Sequence, residues 1–115
     1  MKKKTVTTAP KMYRQGDVLI VAVDELPADA TELARDKRGV VLAEGEVTGH
    51  AHRIPSRHAN LYRSESDARF LRVMGPAPVA LQHEEHTAIE ISPGNYRVSI
   101  HREYQPGELP RQVAD

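Results

Sequence analysis

Short apolar runs, cut every few residues by glycine, proline or a small polar turn, govern what this chain can become. Val18-Leu19-Ile20-Val21-Ala22-Val23 follows the turn signal Gln15-Gly16-Asp17, and its length and β-branching mark a buried strand. Val40–Ala43, His52–Ile54, Leu61–Arg63 and Arg69–Val73 read as further short strands. Gly75-Pro76-Ala77-Pro78 breaks the pattern, since proline cannot donate to a central ladder. Thr87, Ile89 and Ile91 then alternate with Ala88 and Glu90, and Tyr96, Val98, Ile100 and Tyr104 with Arg97, Ser99, His101 and Glu103. Ser92-Pro93-Gly94-Asn95 lies between these runs, which predicts a β-hairpin. Only Asp24–Arg38 changes character: Pro27, Ala28, Ala30, Leu33 and Ala34 among charges predict one short helix near residues 27–37, stopped by Gly39. The pattern implies an all-β domain, a small barrel or sandwich with one short helix.

The 115 residues suffice for one domain, expected over residues 12–104 between a basic arm (1–11, with Lys2-Lys3-Lys4) and a tail (105–115). Sixteen basic and sixteen acidic residues cancel, which argues against a long-range footprint for nucleic acid. No apolar stretch is long enough to span a bilayer as a helix, and Lys2-Lys3-Lys4, with no apolar run after them, are not expected to form a secretory signal. The absence of cysteine excludes disulfides and thiol catalysis and fits a cytoplasmic location. With one Phe, four Tyr and no Trp, the core must be aliphatic, and a bound metal or a second subunit in a homo-oligomer would help hold so small a domain together.

The chemistry lies in the histidines. His50 and His52 form an H-x-H within Gly49-His50-Ala51-His52-Arg53, and His83-Glu84-Glu85-His86 forms the second pair. Imidazole is the commonest protein ligand for transition metals. Residues two apart on a strand share a face, so His50 and His52 can converge on one ion. His83 and His86, three apart, need a turn or bulge at Glu84-Glu85 to aim together, and the two β segments around them can supply it. The predicted ligands are His50, His52, His83 and His86, with zinc the leading ion and iron, manganese and nickel compatible with the donor type. In an enzyme, Glu84 or Glu85 would be the general base for a metal-bound water acting on a small-molecule substrate. The bland alternative is a set of surface histidines beside acids, with no metal. His101 reads as exposed and His58 as solvated.

A competing class is an interaction module. Arg53, Arg57, Arg63, Arg69 and Arg72 cluster near Tyr62 and Phe70, and such an arginine-bearing β surface can bind RNA or protein without a metal. Asp17 reads as a turn residue. Ser56 and Ser64 lack base partners for a serine hydrolase, and no phosphate-cradling glycine loop is present.

Gly45, His50-Ala51-His52 and the later Pro93-Gly94 resemble the cupin pattern in part, without the glutamate that cupins carry soon after the H-x-H. The resemblance implies a metal-lined small barrel, with His101 in the place of a third histidine. The chain is also similar to small uncharacterised bacterial proteins with the landmarks Arg14-Gln15-Gly16-Asp17-Val18-Leu19, Gly49-His50-Ala51-His52, His83-Glu84-Glu85-His86 and Arg102-Glu103-Tyr104. That similarity implies a shared fold and a cytoplasmic location, and no activity.

Overall fold

The computed structural model describes residues 11–45 and 47–101. The basic arm and the tail expected from the sequence lie, but for Lys11, outside these residues, as does Arg102-Glu103-Tyr104. Ten strands run in chain order: β1 (Met12–Gln15), β2 (Val18–Val23), β3 (Thr31–Glu32), β4 (Val40–Glu44), β5 (Ala51–Ile54), β6 (Ala59–Arg63), β7 (Arg69–Val73), β8 (Val79–His83), β9 (His86–Ile91) and β10 (Gly94–Ile100). They form two antiparallel sheets, one in the order β1-β2-β10-β7-β6-β3 and one in the order β4-β5-β8-β9. No helix occurs among the described residues, and none there is long and apolar enough to cross a membrane.

The all-β expectation holds; the short helix does not. Its span instead contains a turn closed by Ala30 N–H on the Pro27 carbonyl, the two-residue β3 and extended chain. Non-local bonds hold that chain out. Thr31 and Glu32 pair with Arg63 and Tyr62, and Leu33 N–H donates to the Leu61 carbonyl. Arg35 donates to the carbonyls of Ala59, Pro55 and Ser56. Alanine, leucine and glutamate favour a helix locally, but without an apolar stripe to bury the preference is too weak to win.

The hairpin predicted across Ser92–Asn95 is also absent. β9 pairs with β8, while β10 pairs with β2 and β7 in the other sheet. The strands are as expected; the link between them crosses from sheet to sheet. Two tyrosines fasten the crossing. Tyr13 Oη accepts from Ser92 N–H at 3.0 Å, Tyr96 Oη donates to the Ser92 carbonyl at 2.5 Å, and the rings meet edge to face with centroids 5.7 Å apart. Burial and the Tyr13 contact push the Tyr96 hydroxyl to a raised pKa, so it stays a donor.

The core lies between the sheets and is aliphatic apart from Tyr13 and Tyr96. Val18, Ile20, Leu42, Ile54, Leu71, Leu81 and Ile91 are fully buried and come from both layers. Two irregularities interrupt the ladders of the smaller sheet. The β4–β5 register shifts between Val41 and Ala43, and the β8–β9 register between Leu81 and His83. Each inserts one extra residue, on β4 and β9 respectively, and a bulge both re-aims side chains and releases a carbonyl from the ladder. At the first, the Leu42 carbonyl accepts from Arg69 at 2.7 Å.

Candidate metal centre

His83 and His86 flank a two-residue turn, Glu84-Glu85, and pair directly across it. Paired residues in an antiparallel ladder face the same way, so the turn does what neither a flat strand nor a helix was needed for. On β9 the alternation of Ile89 and Ile91 would put Thr87 inward and His86 outward. The bulge shifts the parity by one residue and turns His86 to the inner face. β5 lies on the other side of β8, with Arg53 opposite Gln82. Continuing that register sets His52 opposite His83. Three neighbouring strands thus present one imidazole each, side by side on the face that carries Ile54, Leu81 and Ile91 into the core.

The rings confirm the row. Centroids are 4.2 Å apart for His52 and His83, 4.7 Å for His83 and His86, and 5.7 Å for His52 and His86. One nitrogen from each lies within 4.8 Å of the others. Ligands around a tetrahedral ion with bonds of about 2.0–2.1 Å sit roughly 3.3 Å apart, so side-chain shifts of about an ångström close the set. The triad runs from interior to solvent: His52 is buried, His83 half-buried and His86 exposed.

The buried member is the best prepared. Gln15, at the end of β1 in the opposite sheet, donates through Nε2 to the Leu81 carbonyl (3.0 Å) and the Thr87 carbonyl (3.1 Å). The second lies in the β9 bulge. With its NH2 group so used, Gln15 presents Oε1 to His52 Nδ1 at 2.8 Å. An amide oxygen only accepts, so Nδ1 carries the proton and Nε2 keeps its lone pair for a ligand. Burial, then the neighbouring His83 and His86, push the His52 pKa down to about 4; Asp17 and Glu84 oppose this weakly. His83 is also held below its ordinary value, first by burial and then by His86. Its Nδ1 accepts from Glu85 N–H at 3.0 Å, so capture of a metal through Nε2 exchanges that bond for a proton on Nδ1.

Two glycines make room. A Cβ on Gly16, in the β1–β2 turn, would stand 2.7 Å from His86 Nε2 and 3.3 Å from His52 Cε1. A Cβ on Gly45, after β4, would stand 3.0 Å from His83 Nε2. Gly16 also has φ +58°, a conformation that a side chain would strain.

The remaining predicted residues sit just outside this row. His50 precedes β5 in the loop closed by Gly45 N–H on the His50 carbonyl, and lies outside the triad. Its Nδ1 meets Glu85 Oε2 at 2.7 Å, and its ring stands edge-on to His83 at 6.0 Å. Glu84 accepts from Ala51 N–H at 3.0 Å and from Arg53 at 2.9 Å, and the Ala51 bond is the main cause of its lowered pKa. It ties the turn to β5. His101 and His58 are exposed and lie outside the triad. Sequence reasoning missed Gln15 and Gly16 as parts of the site. The signal was there: Gln15 shares a strand face with Tyr13, and a glutamine on a core-facing position needs partners.

The chain matches, over residues 14–110, a family described as a domain of unknown function (DUF8820). It belongs to that family. No curated protein and no solved structure matches it. DUF8820 membership carries no activity, so the site has to be read from its own geometry.

Proposed function

We propose that this DUF8820 domain binds one divalent transition-metal ion, zinc first, through His52, His83 and His86. The observation that carries the reading is the Gln15 clamp: a buried imidazole, neutral at pH 7, with its proton held on Nδ1 and its free lone pair beside two more imidazoles. A packed histidine would also need a partner on its N–H; what favours a ligand here is that partner together with two more imidazoles within 4.8 Å. All-nitrogen donors suit zinc, and they leave iron, manganese and nickel as competitors.

Three protein ligands leave a coordination position for water, the arrangement used by metal-dependent hydrolases. Of the two predicted bases, Glu84 already holds Ala51 and Arg53, which leaves Glu85, exposed and paired with His50, as the candidate to act on such a water. Hydrolysis of a small molecule is the activity to assay. The cysteine-free chain fits a reducing compartment, and we place it in the cytoplasm.

Elemental analysis of tag-free protein is the test. Close to one equivalent of metal in the native chain, and a trace in His52→Ala, supports the reading. Trace metal in both, with no uptake from micromolar zinc, overturns it.

A further inference from the structure

The chain's zero net charge hides a division between the strands of the two sheets, while Asp17, Asp24, Glu25, Asp29, Glu65 and Asp67 lie in the turns and loops that join strands of the larger one. The four central strands of the larger sheet, β2, β10, β7 and β6, contain no carboxylate, yet carry Arg63, Arg69, Arg72 and Arg97. Glu32 on the edge strand β3 is the only acid among that sheet's strands. The smaller sheet has Glu44 and Glu90 on its strands and Glu84-Glu85 in its turn, against Arg53 alone.

The expected arginine cluster is redistributed by the fold. Arg53 pairs with Glu84 on the smaller sheet, Arg63 lies 3.8 Å from Asp67, and Arg69 turns inward to Leu42. Arg72 remains on the outer face, joined by Arg97. An outward row crosses the whole sheet in register: Met12, Val21, Arg97, Phe70, Tyr62, Glu32. Arg97 lies 6.0 Å over the Phe70 ring and Arg72 5.7 Å over Tyr62. At these distances each guanidinium is within cation–π range of its ring, and Arg97 is exposed while Arg72 is half-buried. Among the described residues neither arginine has a carboxylate within ion-pair distance.

From this geometry we infer that the outer face of the six-stranded sheet binds single-stranded nucleic acid. Aromatic-backed guanidinium groups, planar in themselves, can offer stacking planes to bases and charge to phosphates. Asn95, which accepts from Arg72, and Asn60, on the neighbouring strand, add amide groups beside them. An acidic peptide would use the charge and leave the planes idle.

The inference is independent of the metal site and is tested with the full chain in EDTA. Fluorescence anisotropy of labelled 12-mer oligo(U) and oligo(dT) is read between 50 and 200 mM salt. Binding of either is expected. Arg72→Ala/Arg97→Ala should weaken it at least tenfold and lower the log K against log salt slope by about 1.4, two contacts at about 0.7 each. Arg72→Lys/Arg97→Lys should keep the slope and still lose several-fold in affinity, because lysine has no plane to stack. Absence of binding to both oligomers overturns the inference. So does binding that the alanine pair leaves unchanged, which would assign it to charges common to all variants such as Lys2–Lys4. Equal competition by polyglutamate also overturns it and assigns the face to acidic peptides.

Discussion

Gln15 decides more about the site than any residue except the histidines themselves. Its two donated bonds and one accepted bond are all buried or nearly so. In Gln15→Ala, two carbonyls lose their donor and His52 loses the group that fixes its tautomer. A supporting partner of a metal-binding histidine is worth about 10–100-fold in affinity, and unsatisfied buried carbonyls cost about 1–3 kcal/mol. Zinc affinity by chelator competition should fall by that factor, and urea denaturation should show that loss of stability. His52 makes a second expectation. Its pKa is about 4 in the fold against an ordinary 6.5. Between those values the unfolded chain binds the extra proton, so metal-free protein loses stability as pH falls from 6.5 towards 4. The loss is on the order of 2–3 kcal/mol, and His83, shifted the same way, adds to it. Above pH 6.5 both states are neutral at His52 and the effect is absent. Urea melts of metal-free protein at pH 7.5, 5.5 and 4.5 check this, with His52→Asn expected to show a shallower decline. The histidine pairs were legible as chemistry because few residue types bind metals. Gln15 was not, because its role depends on carbonyls 66 and 72 positions away.

At the scale of elements, alternation reveals which residues face together and says little about which strand lies alongside. Thr87, Ile89 and Ile91 with Tyr96, Val98 and Ile100 mark two strands correctly, yet their partners are β8 in one sheet and β2 and β7 in the other. The turn signal at Pro93-Gly94 is met equally well by a crossing that Tyr13 and Tyr96 secure from elsewhere. The bulge in β9 is invisible for the same reason: one extra residue matters only against the register of β8. It yields a sharp expectation. Exchanging the two residues, His86→Thr with Thr87→His, keeps composition and places the imidazole where simple alternation predicts an inward face. With the bulge in place the ring should point away from His52 and His83, and zinc affinity should drop at least tenfold, as for loss of a ligand. Retained affinity would mean that the register at the turn differs from the direct pairing of His83 with His86.

For the whole molecule, the site closes one end of the space between the sheets. The three imidazoles come from β5, β8 and β9 of one layer, while Gln15 and Gly16 come from the β1–β2 hairpin of the other. The core behind them contains neither Trp nor Phe, since the chain has no Trp and its one Phe lies on the outer face beside Arg97. Aliphatic packing, with Tyr13 and Tyr96 and the bonds of Gln15 and Arg69 across the layers, holds the sheets together, and an ion at this end would bind the folded chain far better than the unfolded one, where the ligands are spread along the sequence from His52 to His86. Ligand linkage sets the scale: a free ion at 100 times its dissociation constant stabilises the fold by about 2.7 kcal/mol. For a domain near 100 residues each kcal/mol moves the midpoint by roughly 4–8 °C. Zinc at that excess should therefore raise the thermal midpoint of metal-stripped protein by about 10–20 °C. His52→Ala should show no such rise, and Gly45→Ala a smaller one, because its Cβ would crowd His83 Nε2 and the His50 carbonyl without removing any ligand. A zinc-induced rise shared equally by all three proteins would put the ion elsewhere on the chain.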